Sequence, residues 1–504
     1  MSRPTFRGAV LWSYLMNGGE KAIFTLVTFV LASVLGPSDF GTVSMAMVYI
    51  LFIQMFLEQG LCLALIQRKN LDTEHLDSVF WMVMVAGLAL VGISVGLSGW
   101  WARVNHLPTL APVIRWLSVS IVIESLTVVQ RAILHRDMNF KSLSLRSNAA
   151  AAVAAVVSLG MAFAGFGVWA LVGQKLGEDV AALALLWKLS SWRPRFRFSF
   201  LHLKQLLGFS IASLFTKTGV FVNSYATGML IGLFFGPVTV GIYRLAERVV
   251  NTLLDTTTTP LQMAAFSQFS RLQDRKVELQ QSALQCLRLG ATLTIPSLAG
   301  LALVSSPLMA VMGPQWAPAA RVLQILCAMG IVLTFTRFTE TLLPALSRPH
   351  YLAVIKWAQC VVTVAFLLGV AFALKQSPVG KQVIAIALSQ FVVGALIFGP
   401  ILFYLLIRLS GISLSALLLI SVPPLIAAAA AAVTVFGLSQ SGLLQGARPV
   451  VVLAADVVAG GVAGIAALLV SDRHLKSDIL AFTSGIFGGK KTGLSAELLP
   501  REAE

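Results

Sequence analysis

The sequence predicts an all-α polytopic membrane protein with about 14 transmembrane helices, built as two parallel six-helix bundles followed by two additional helices. Three observations lead to this fold class: the composition, the spacing of long apolar runs, and an internal repeat. Hydrophobic residues fill 57% of the 504 positions and charged residues only 12%, with a mean hydropathy of +0.85. Because a soluble core of this length could not bury so much apolar surface, the composition excludes a water-soluble enzyme and a disordered chain.

Apolar runs of about 20 residues, the length at which a helix crosses a bilayer, occur fourteen times. Their length and their mixture of Ala, Leu, Gly and Val favour helices over the shorter, alternating strands of a membrane barrel. The connections between them are too short for a folded catalytic domain. The predicted spans are 8–35, 41–66, 78–99, 111–130, 147–165, 168–187, 206–235, 239–266, 289–312, 322–346, 351–374, 382–407, 412–437 and 449–470.

The number of basic residues alternates between high and low from one connection to the next. With the N-terminus inside, the inner connections hold 24 of the 37 Lys and Arg residues, the outer connections hold 5, and 8 lie within spans. This asymmetry predicts that both termini are cytoplasmic. The basic and aromatic segment 192–198 resembles a nucleic-acid patch, but its position between spans six and seven favours an interfacial anchor on anionic lipid. The net charge of +16 therefore reflects topology, and no nucleic-acid partner is predicted.

Reporter fusions test this topology, because the basic residues set the side on which each connection lies. Fusions after Phe198, Arg275 and Glu504 are expected to report the cytoplasm. Fusions within 100–110 and 438–448 are expected to report the opposite side. A single inverted result among the first three would contradict the fourteen-span arrangement with the N-terminus inside.

The cysteines and histidines do not form a metal-binding pattern. All six histidines fall in predicted connections, and each of the four cysteines lies in or beside an apolar stretch, where a thiol behaves as a small hydrophobic group. Neither a disulfide nor a metal site is predicted. The cysteines are Cys62, Cys286, Cys327 and Cys360.

The turn that joins the first two spans has a counterpart 200 residues later. Residues 36–41 read Gly-Pro-Ser-Asp-Phe-Gly, and residues 236–241 read Gly-Pro-Val-Thr-Val-Gly. A second similarity relates 111–117 to 317–323. Because six helices separate the copies, both enter the membrane from the same side, as in parallel transporter repeats. Pro37 and Pro237 are each predicted to start the next helix at its first turn. The residues predicted to shape the two turns are Gly36, Pro37, Gly41, Gly236, Pro237 and Gly241.

These patterns divide the chain into five segments. Residues 1–187 form the first six-helix bundle, 188–205 a basic cytoplasmic linker, and 206–407 the second six-helix bundle. Residues 408–470 supply two additional transmembrane helices, and 471–504 form a polar cytoplasmic tail.

Three motifs resemble a known group of transporters. The segment 35–46, Leu-Gly-Pro-x-x-Phe-Gly-x-x-x-x-Ala, resembles the signature of polysaccharide exporters in the multidrug/oligosaccharidyl-lipid/polysaccharide (MOP) superfamily. The segments 130–141 and 193–199 resemble the branch that contains lipopolysaccharide, O-antigen and colanic-acid exporters. The resemblance implies a non-enzymatic flippase of the bacterial inner membrane. Such a protein moves an undecaprenyl-diphosphate-linked oligosaccharide from the cytoplasmic to the periplasmic leaflet by alternating access.

The resemblance also implies which molecules the protein binds and how its transport cycle is driven. The substrate would be a lipid-linked oligosaccharide in contact with membrane lipids, and a polysaccharide polymerase and other assembly proteins are candidate partners. No cofactor is implied, and transport is expected to be coupled to an ion, H⁺ or Na⁺. The family has no well-preserved catalytic residues to carry over, so the candidate site comes from the charges within the spans.

A charge in the middle of a transmembrane helix costs about 2.5–3.5 kcal/mol and therefore faces a partner or a water-filled cavity. Arg and Lys there would bind a lipid diphosphate, and carboxylates could take up H⁺ or Na⁺. The alternative is that sequence neighbours of opposite charge form structural pairs, namely Glu20 with Lys21, Glu247 with Arg244 and Arg248, and Arg337 with Glu340. Four polar residues of the eighth span form one stripe by their helical spacing: Arg244, Arg248, Asn251 and Asp255. The diphosphate-binding candidates are Arg244, Arg248, Lys217, Lys21 and Arg337. The ion-coupling candidates are Glu20, Glu58, Glu124, Glu247, Asp255 and Glu340.

Two other functions remain open. A multidrug exporter of the same superfamily would need an acidic, aromatic pocket for cationic drugs, whereas the basic residues here favour an anionic substrate. An integral-membrane glycan polymerase or ligase would need a sizeable outer loop and a catalytic base. The short outer connections and the lack of histidine within the spans argue against that enzyme class.

Overall fold

The chain is almost entirely helical wherever its structure, a computed structural model, describes it. The described residues are 6–58, 65, 72–136, 140–200, 225–444 and 446–471. Within them, side chains are described except for 6–18, 22, 55–58, 135, 140, 141, 267 and 349.

The first half of the chain contains eight described helices and ends in the extended segment 190–199. Helix α2 begins at Pro37 directly after Gly36, as the sequence predicts, because the ring of proline suits the first turn of a helix. The helices are α1 (Phe6–Val34), α2 (Pro37–Glu58), α3 (Thr73–Val104), α4 (Leu110–Leu117), α5 (Val119–Ser125), α6 (Val128–Arg136), α7 (Phe140–Phe163) and α8 (Val168–Leu189).

In the second half the described residues resume at Tyr225, and the same turn is repeated. Helix α10 begins at Pro237 after Gly236, whose φ of +82° lies in the left-handed region that favours glycine. The helices are α9 (Tyr225–Phe235), α10 (Pro237–Arg271), α11 (Lys276–Leu303), α12 (Ser305–Met312), α13 (Ala317–Ala345), α14 (Pro349–Leu374), α15 (Val379–Phe391), α16 (Gly399–Ser410), α17 (Leu414–Gln440) and α18 (Pro449–Ser471). A π-helical segment, Val392–Phe398, joins α15 to α16.

Among the described residues, eight helices are long and apolar enough to cross a membrane, and a ninth span results if the bent helices α4–α6 are counted together. Helices α8 and α10 fall outside this count because charged and polar residues interrupt their apolar runs. The prediction of an all-helical membrane protein is confirmed. The total of fourteen spans and the division into two six-helix bundles stay predictions.

The predicted span 111–130 is bent in the structure. The structure divides it into α4, α5 and α6, with a bend of 46° before α6. The Ser118 hydroxyl donates to the Ile114 carbonyl over 2.7 Å, and the Thr127 hydroxyl donates to the Glu124 carbonyl over 2.9 Å. Such side-chain bonds compete with the helix ladder and bend helices, which explains a break without glycine or proline.

Two helices extend beyond the apolar runs from which their spans are predicted. The predicted span 147–165 corresponds to α7, which already begins at Phe140. The predicted span 289–312 corresponds to α11 and α12, which begin at Lys276 and are separated at Val304. Hydropathy detects only the apolar portion of a helix, whereas these helices continue into polar sequence.

The two repeated turns contact each other reciprocally. A Cβ atom placed on Gly41 would collide with the carbonyl of Pro237, and one placed on Gly241 would collide with the carbonyl of Pro37. Helix α2 packs along α10 from this point. We call the end of the molecule that contains both turns the turn end. The space around Gly36 is open, so the steric requirement falls on Gly41 and Gly241.

An aromatic contact reinforces the turn end. The fully buried Trp316 donates its indole N–H to the Ala32 carbonyl over 2.7 Å. Its ring also meets the ring of Phe40 edge to face, with 5.4 Å between centroids. Since Trp316 precedes α13 while Ala32 and Phe40 lie in α1 and α2, the two halves are joined at this end of the molecule.

The two C-terminal helices pack against each other through small residues. Gly460 of α18 lies against Ala431 and Val435 of α17, and Gly464 lies against the Ala427 carbonyl. Small residues at intervals of four allow close approach of helices in lipid. Because α17 also packs against α11, the pair is attached to the second half.

The extended segment 190–199 is fastened to the start of α3. The Arg195 amide donates to the Asp77 carboxylate over 3.1 Å, and the Trp81 indole donates to the Arg195 carbonyl over 2.8 Å. Trp81 also stacks on Phe196, with 4.7 Å between ring centroids. This basic, aromatic segment is therefore an ordered extension of the first half of the molecule.

Candidate functional site

Helix α10 carries a stripe of polar residues along one face. Arg244, Arg248, Asn251 and Asp255 are separated by three or four positions, the spacing that places side chains on the same side of a helix. With a rise of about 1.5 Å per residue from Pro237, the two arginines lie about 10 and 16 Å from the turn end, and Asp255 about 27 Å. The stripe therefore distributes charge across most of a bilayer's thickness.

The stripe faces the first half of the molecule. Lys21 of α1 contacts Asp255, and Glu178 of α8 interacts electrostatically with Arg248. Partners from two helices of the first half therefore lie opposite α10, so the stripe points to the interior.

Asp255 forms ion pairs with two cations at once. Its Oδ2 atom lies 3.1 Å from Lys21 Nζ, and its Oδ1 atom lies 3.2 Å from a guanidinium nitrogen of Arg337. The same nitrogen of Arg337 donates to the Thr258 hydroxyl over 3.3 Å. Because Lys21 belongs to α1 and Arg337 to α13, one carboxylate links the two halves. We refer to Lys21, Asp255 and Arg337 as the triad.

Arg248 is an accessible cation inside the protein. Its side chain is exposed although protein atoms surround it, which is the signature of a residue that lines a cavity. Its guanidinium forms neither a hydrogen bond nor an ion pair within the part of the chain that the structure describes. An unpaired guanidinium in such a place is available to an anionic ligand.

Arg244 is held more tightly. Its guanidinium lies 2.6 Å from a Glu247 carboxylate oxygen and 5.7 Å from the centre of the Tyr225 ring. The second terminal nitrogen, Nη2, is buried without a hydrogen-bond partner among the described residues. A Cβ atom on Gly228 would overlap this guanidinium, so the glycine of α9 provides its space. The guanidinium of Arg244 is therefore held by Glu247 and Tyr225, while its Nη2 atom remains available as a hydrogen-bond donor.

A further charged cluster lies in the first half. Glu124 pairs with Arg131 at 2.5 Å, and Lys175 pairs with Asp179 at 2.7 Å. Arg146 lies among these groups, and its buried Nε atom makes no hydrogen bond within the described structure. The charges that interact electrostatically with Arg146 are Arg131, Glu124, Glu20 and Glu178.

The remaining candidates have different surroundings. Glu340 pairs with Lys356 of α14 at 2.5 Å, so the neighbouring pair Arg337 and Glu340 considered from the sequence is not formed. Lys217 and the side chain of Glu58 lie outside the described residues. The roles assigned from the sequence to all of these charges stay predictions.

Sequence reasoning missed several residues of this interior. The predicted spans leave Arg131 and Arg146 in a connection because both residues flank apolar runs, whereas helices α6 and α7 continue through them. Tyr225 and Gly228 gave no sequence signal beyond a glycine inside an apolar helix, which indicates close packing only weakly.

An apolar pocket of about 430 Å³ lies between α11, α13 and α17. No charged residue lines it. The helix α17, which lies C-terminal to the predicted repeat, contributes one of its walls. The residues of this wall are Ala428 and Ala432.

Comparison with known families identifies the group to which the chain belongs. A family model described as polysaccharide biosynthesis protein matches residues 30–321, which is more than half of the chain. The chain belongs to this polysaccharide biosynthesis protein family. The matched region of this family member includes both repeated turns and the stripe of α10.

Curated relatives of this polysaccharide biosynthesis protein carry consistent names. It is 26% identical to the succinoglycan biosynthesis transport protein ExoT of Rhizobium meliloti (strain 1021), over 72% of the chain and 73% of ExoT. It is 24% identical to the lipopolysaccharide biosynthesis protein WzxC of Escherichia coli (strain K12), over 63% of the chain and 65% of WzxC. The predicted resemblance to polysaccharide exporters is confirmed.

Two solved structures share the fold of this polysaccharide biosynthesis protein. The lipid II flippase MurJ in an inward closed conformation matches with a TM-score of 0.69 at 14% identity, covering 94% of this chain and 98% of MurJ. An inward-facing multidrug resistance MATE transporter of the MOP superfamily matches with a TM-score of 0.64 at 15% identity, covering 78% and 95%. Identities this low show the fold alone, which is that of MOP-superfamily transporters.

Proposed function

We propose that this protein is a flippase that moves an undecaprenyl-diphosphate-linked oligosaccharide from the cytoplasmic to the periplasmic leaflet by alternating access. The observation that carries the proposal is the row of cations on the interior face of α10, in which Arg248 is unpaired and Arg244 keeps one free donor. A lipid diphosphate carries several negative charges through a medium of low dielectric constant, so its passage needs compensating cations.

The contacts between the two turns support a state of the transport cycle in which the interior is closed at the turn end. The halves meet at the turn end, which the topology prediction places on the periplasmic side. In that orientation the interior is closed toward the periplasm. Opening the turn end while the other end closes would release the substrate on the far side.

The lipid chain needs a separate, apolar path. We assign part of it to the apolar pocket between α11, α13 and α17, because no charge lines that pocket. The additional helices α17 and α18 would then distinguish a lipid-linked substrate from a small soluble one. We further propose coupling to H⁺ or Na⁺ through interior carboxylates, and association with a polysaccharide polymerase.

Reconstitution tests the function directly. Purified protein in vesicles is expected to move an undecaprenyl-diphosphate-linked oligosaccharide between leaflets, as measured by its accessibility to an added glycosidase, faster than protein-free vesicles do. Parallel measurements with imposed H⁺ and Na⁺ gradients identify the coupling ion. Movement of a cationic dye without movement of the lipid-linked oligosaccharide would instead indicate the multidrug exporter.

Gly228 offers a test of the cation row that leaves every charge in place. Gly228→Val is expected to slow export several-fold, because the new side chain occupies the space of the Arg244 guanidinium. The matched control is Gly437→Val on α17, where the space beside the glycine is open. Surface polysaccharide per folded protein is the measurement, and equal export from both variants would contradict a role for the position of Arg244.

A further inference from the structure

The triad places a carboxylate where the proposed function expects a phosphate. Each oxygen of Asp255 engages a different cation, at 3.1 Å to Lys21 and 3.2 Å to Arg337. The two phosphate groups of a diphosphate that links a lipid to a sugar present their oxygens to Lys and Arg in a similar way, and they carry two negative charges where the carboxylate carries one. Asp255 therefore holds these two cations in positions suited to an anion that bridges them.

The triad is accessible and lies at the end of the path opposite the turns. The side chains of Asp255 and Lys21 are each 39% exposed and that of Arg337 is 22% exposed, so a ligand in the interior can reach all three. Asp255 lies about 27 Å along α10 from the turn end, which is close to the full thickness of the hydrocarbon core. A head group that enters opposite the turn end therefore meets the triad before it meets Arg248.

We propose that Asp255 is an internal anion that occupies the cations of Lys21 and Arg337 until the diphosphate of the substrate displaces it. This inference rests on the proposed function. The exchange requires a ligand that holds the two cations better than one carboxylate does, so it selects a diphosphate over a lipid monophosphate. Once displaced, Asp255 repels the bound diphosphate, which favours its transfer along the stripe toward Arg248 and Arg244.

A purely structural triad predicts the opposite effect of removing the carboxylate. If Asp255 only holds the halves together, its neutralisation leaves two interior cations uncompensated, and it weakens both folding and binding. If Asp255 competes with the substrate, its neutralisation frees both cations and strengthens binding. The sign of the change in affinity therefore separates the two roles.

The experiment measures binding of farnesyl diphosphate, a short isoprenoid diphosphate, to the purified full-length protein in detergent. Asp255→Asn is expected to bind this probe about tenfold more tightly than the wild type, a change within the range of one charge-assisted contact. Adding Lys21→Gln to Asp255→Asn is expected to remove the gain. The matched control is Glu278→Gln, which neutralises an exposed carboxylate paired with Arg275 at 3.4 Å and is expected to leave the affinity unchanged.

A wild-type measurement accompanies the variants. The unsubstituted protein is expected to prefer farnesyl diphosphate over farnesyl monophosphate at least tenfold, whether or not the asparagine variant accumulates. The exchange would be overturned if Asp255→Asn bound farnesyl diphosphate no more tightly than the wild type does. It would also be overturned if the wild type bound the two probes equally well. Either result would leave the proposed flippase function intact. Failure of the wild type to bind either probe would overturn the exchange and also contradict the diphosphate recognition on which the proposed function rests.

Discussion

Arg248→Ala is expected to slow export at least tenfold while leaving the amount of folded protein unchanged. The guanidinium is exposed and, among the described residues, makes no hydrogen bond or ion pair, so its removal leaves no buried partner unsatisfied. A charge-assisted contact to a phosphate contributes about 1.5–3 kcal/mol, and about 1.4 kcal/mol already corresponds to a factor of ten. Arg248→Lys is expected to restore export only partly, because a point charge cannot donate two parallel hydrogen bonds.

The measurement compares surface polysaccharide and lipid-linked oligosaccharide in the inner leaflet at equal protein levels. Arg115→Ala is the matched control, since Arg115 is also exposed and makes a single hydrogen bond to Ser98 over 3.0 Å. Arg244→Ala is expected to differ from Arg248→Ala, because it leaves the Glu247 carboxylate unpaired and lowers the yield of folded protein as well. Wild-type export from the double variant Arg244→Ala, Arg248→Ala would refute the role of the cation row.

Gly41→Leu is expected to abolish most export by preventing closure of the turn end. Its side chain would collide with the backbone carbonyl of Pro237, which cannot rotate away as a side chain can. Overpacking of a tight contact costs about 1–3 kcal/mol, enough to shift a balance between two conformations by one to two orders of magnitude. Spin labels at Ser38 and Val238, placed in each turn, are expected to report a larger mean separation in the variant.

The control for this experiment lies five residues away. Gly36→Leu adds the same side chain where the space is open, so export and label separation are expected to stay near the wild-type values. Because Gly36 and Gly41 belong to the same turn, the comparison separates steric contact between the halves from general disturbance of the turn. Similar loss in both variants would show that the contact between the turns is not required.

Much of this architecture could be predicted because a helix that crosses a bilayer needs about 20 mostly apolar residues in a row, which are recognisable in the sequence. The positions of Pro37 and Pro237 at helix starts followed from local chemistry that depends on few residues. The common face of Arg244, Arg248 and Asp255 followed from helical spacing alone. These features are encoded within about three helical turns.

Other features depend on contacts that a local sequence pattern does not reveal. The pairing of Lys21 with Asp255 joins residues 234 positions apart, and sequence proximity instead suggested pairs with immediate neighbours. Arg146 escaped detection because a charge at the edge of an apolar run looks like the end of a helix, although α7 continues through it. The bend before α6 arises from hydroxyl groups that hydrogen-bond to their own helix, and serine and threonine also occur in straight helices.

The reciprocal contact between the turns has the form of an isologous interface, in which residue i of one copy meets residue j of the other and j meets i. In a dimer of two identical chains with such a contact, every substitution would occur on both sides of the twofold axis that relates the chains. Within one continuous chain the two sides can diverge, so that Phe40 meets Trp316 while its counterpart at the same offset is Val240. A single chain can thereby combine a reciprocal contact between its turns with an asymmetric interior, in which Lys21 belongs to the first half and Asp255 to the second.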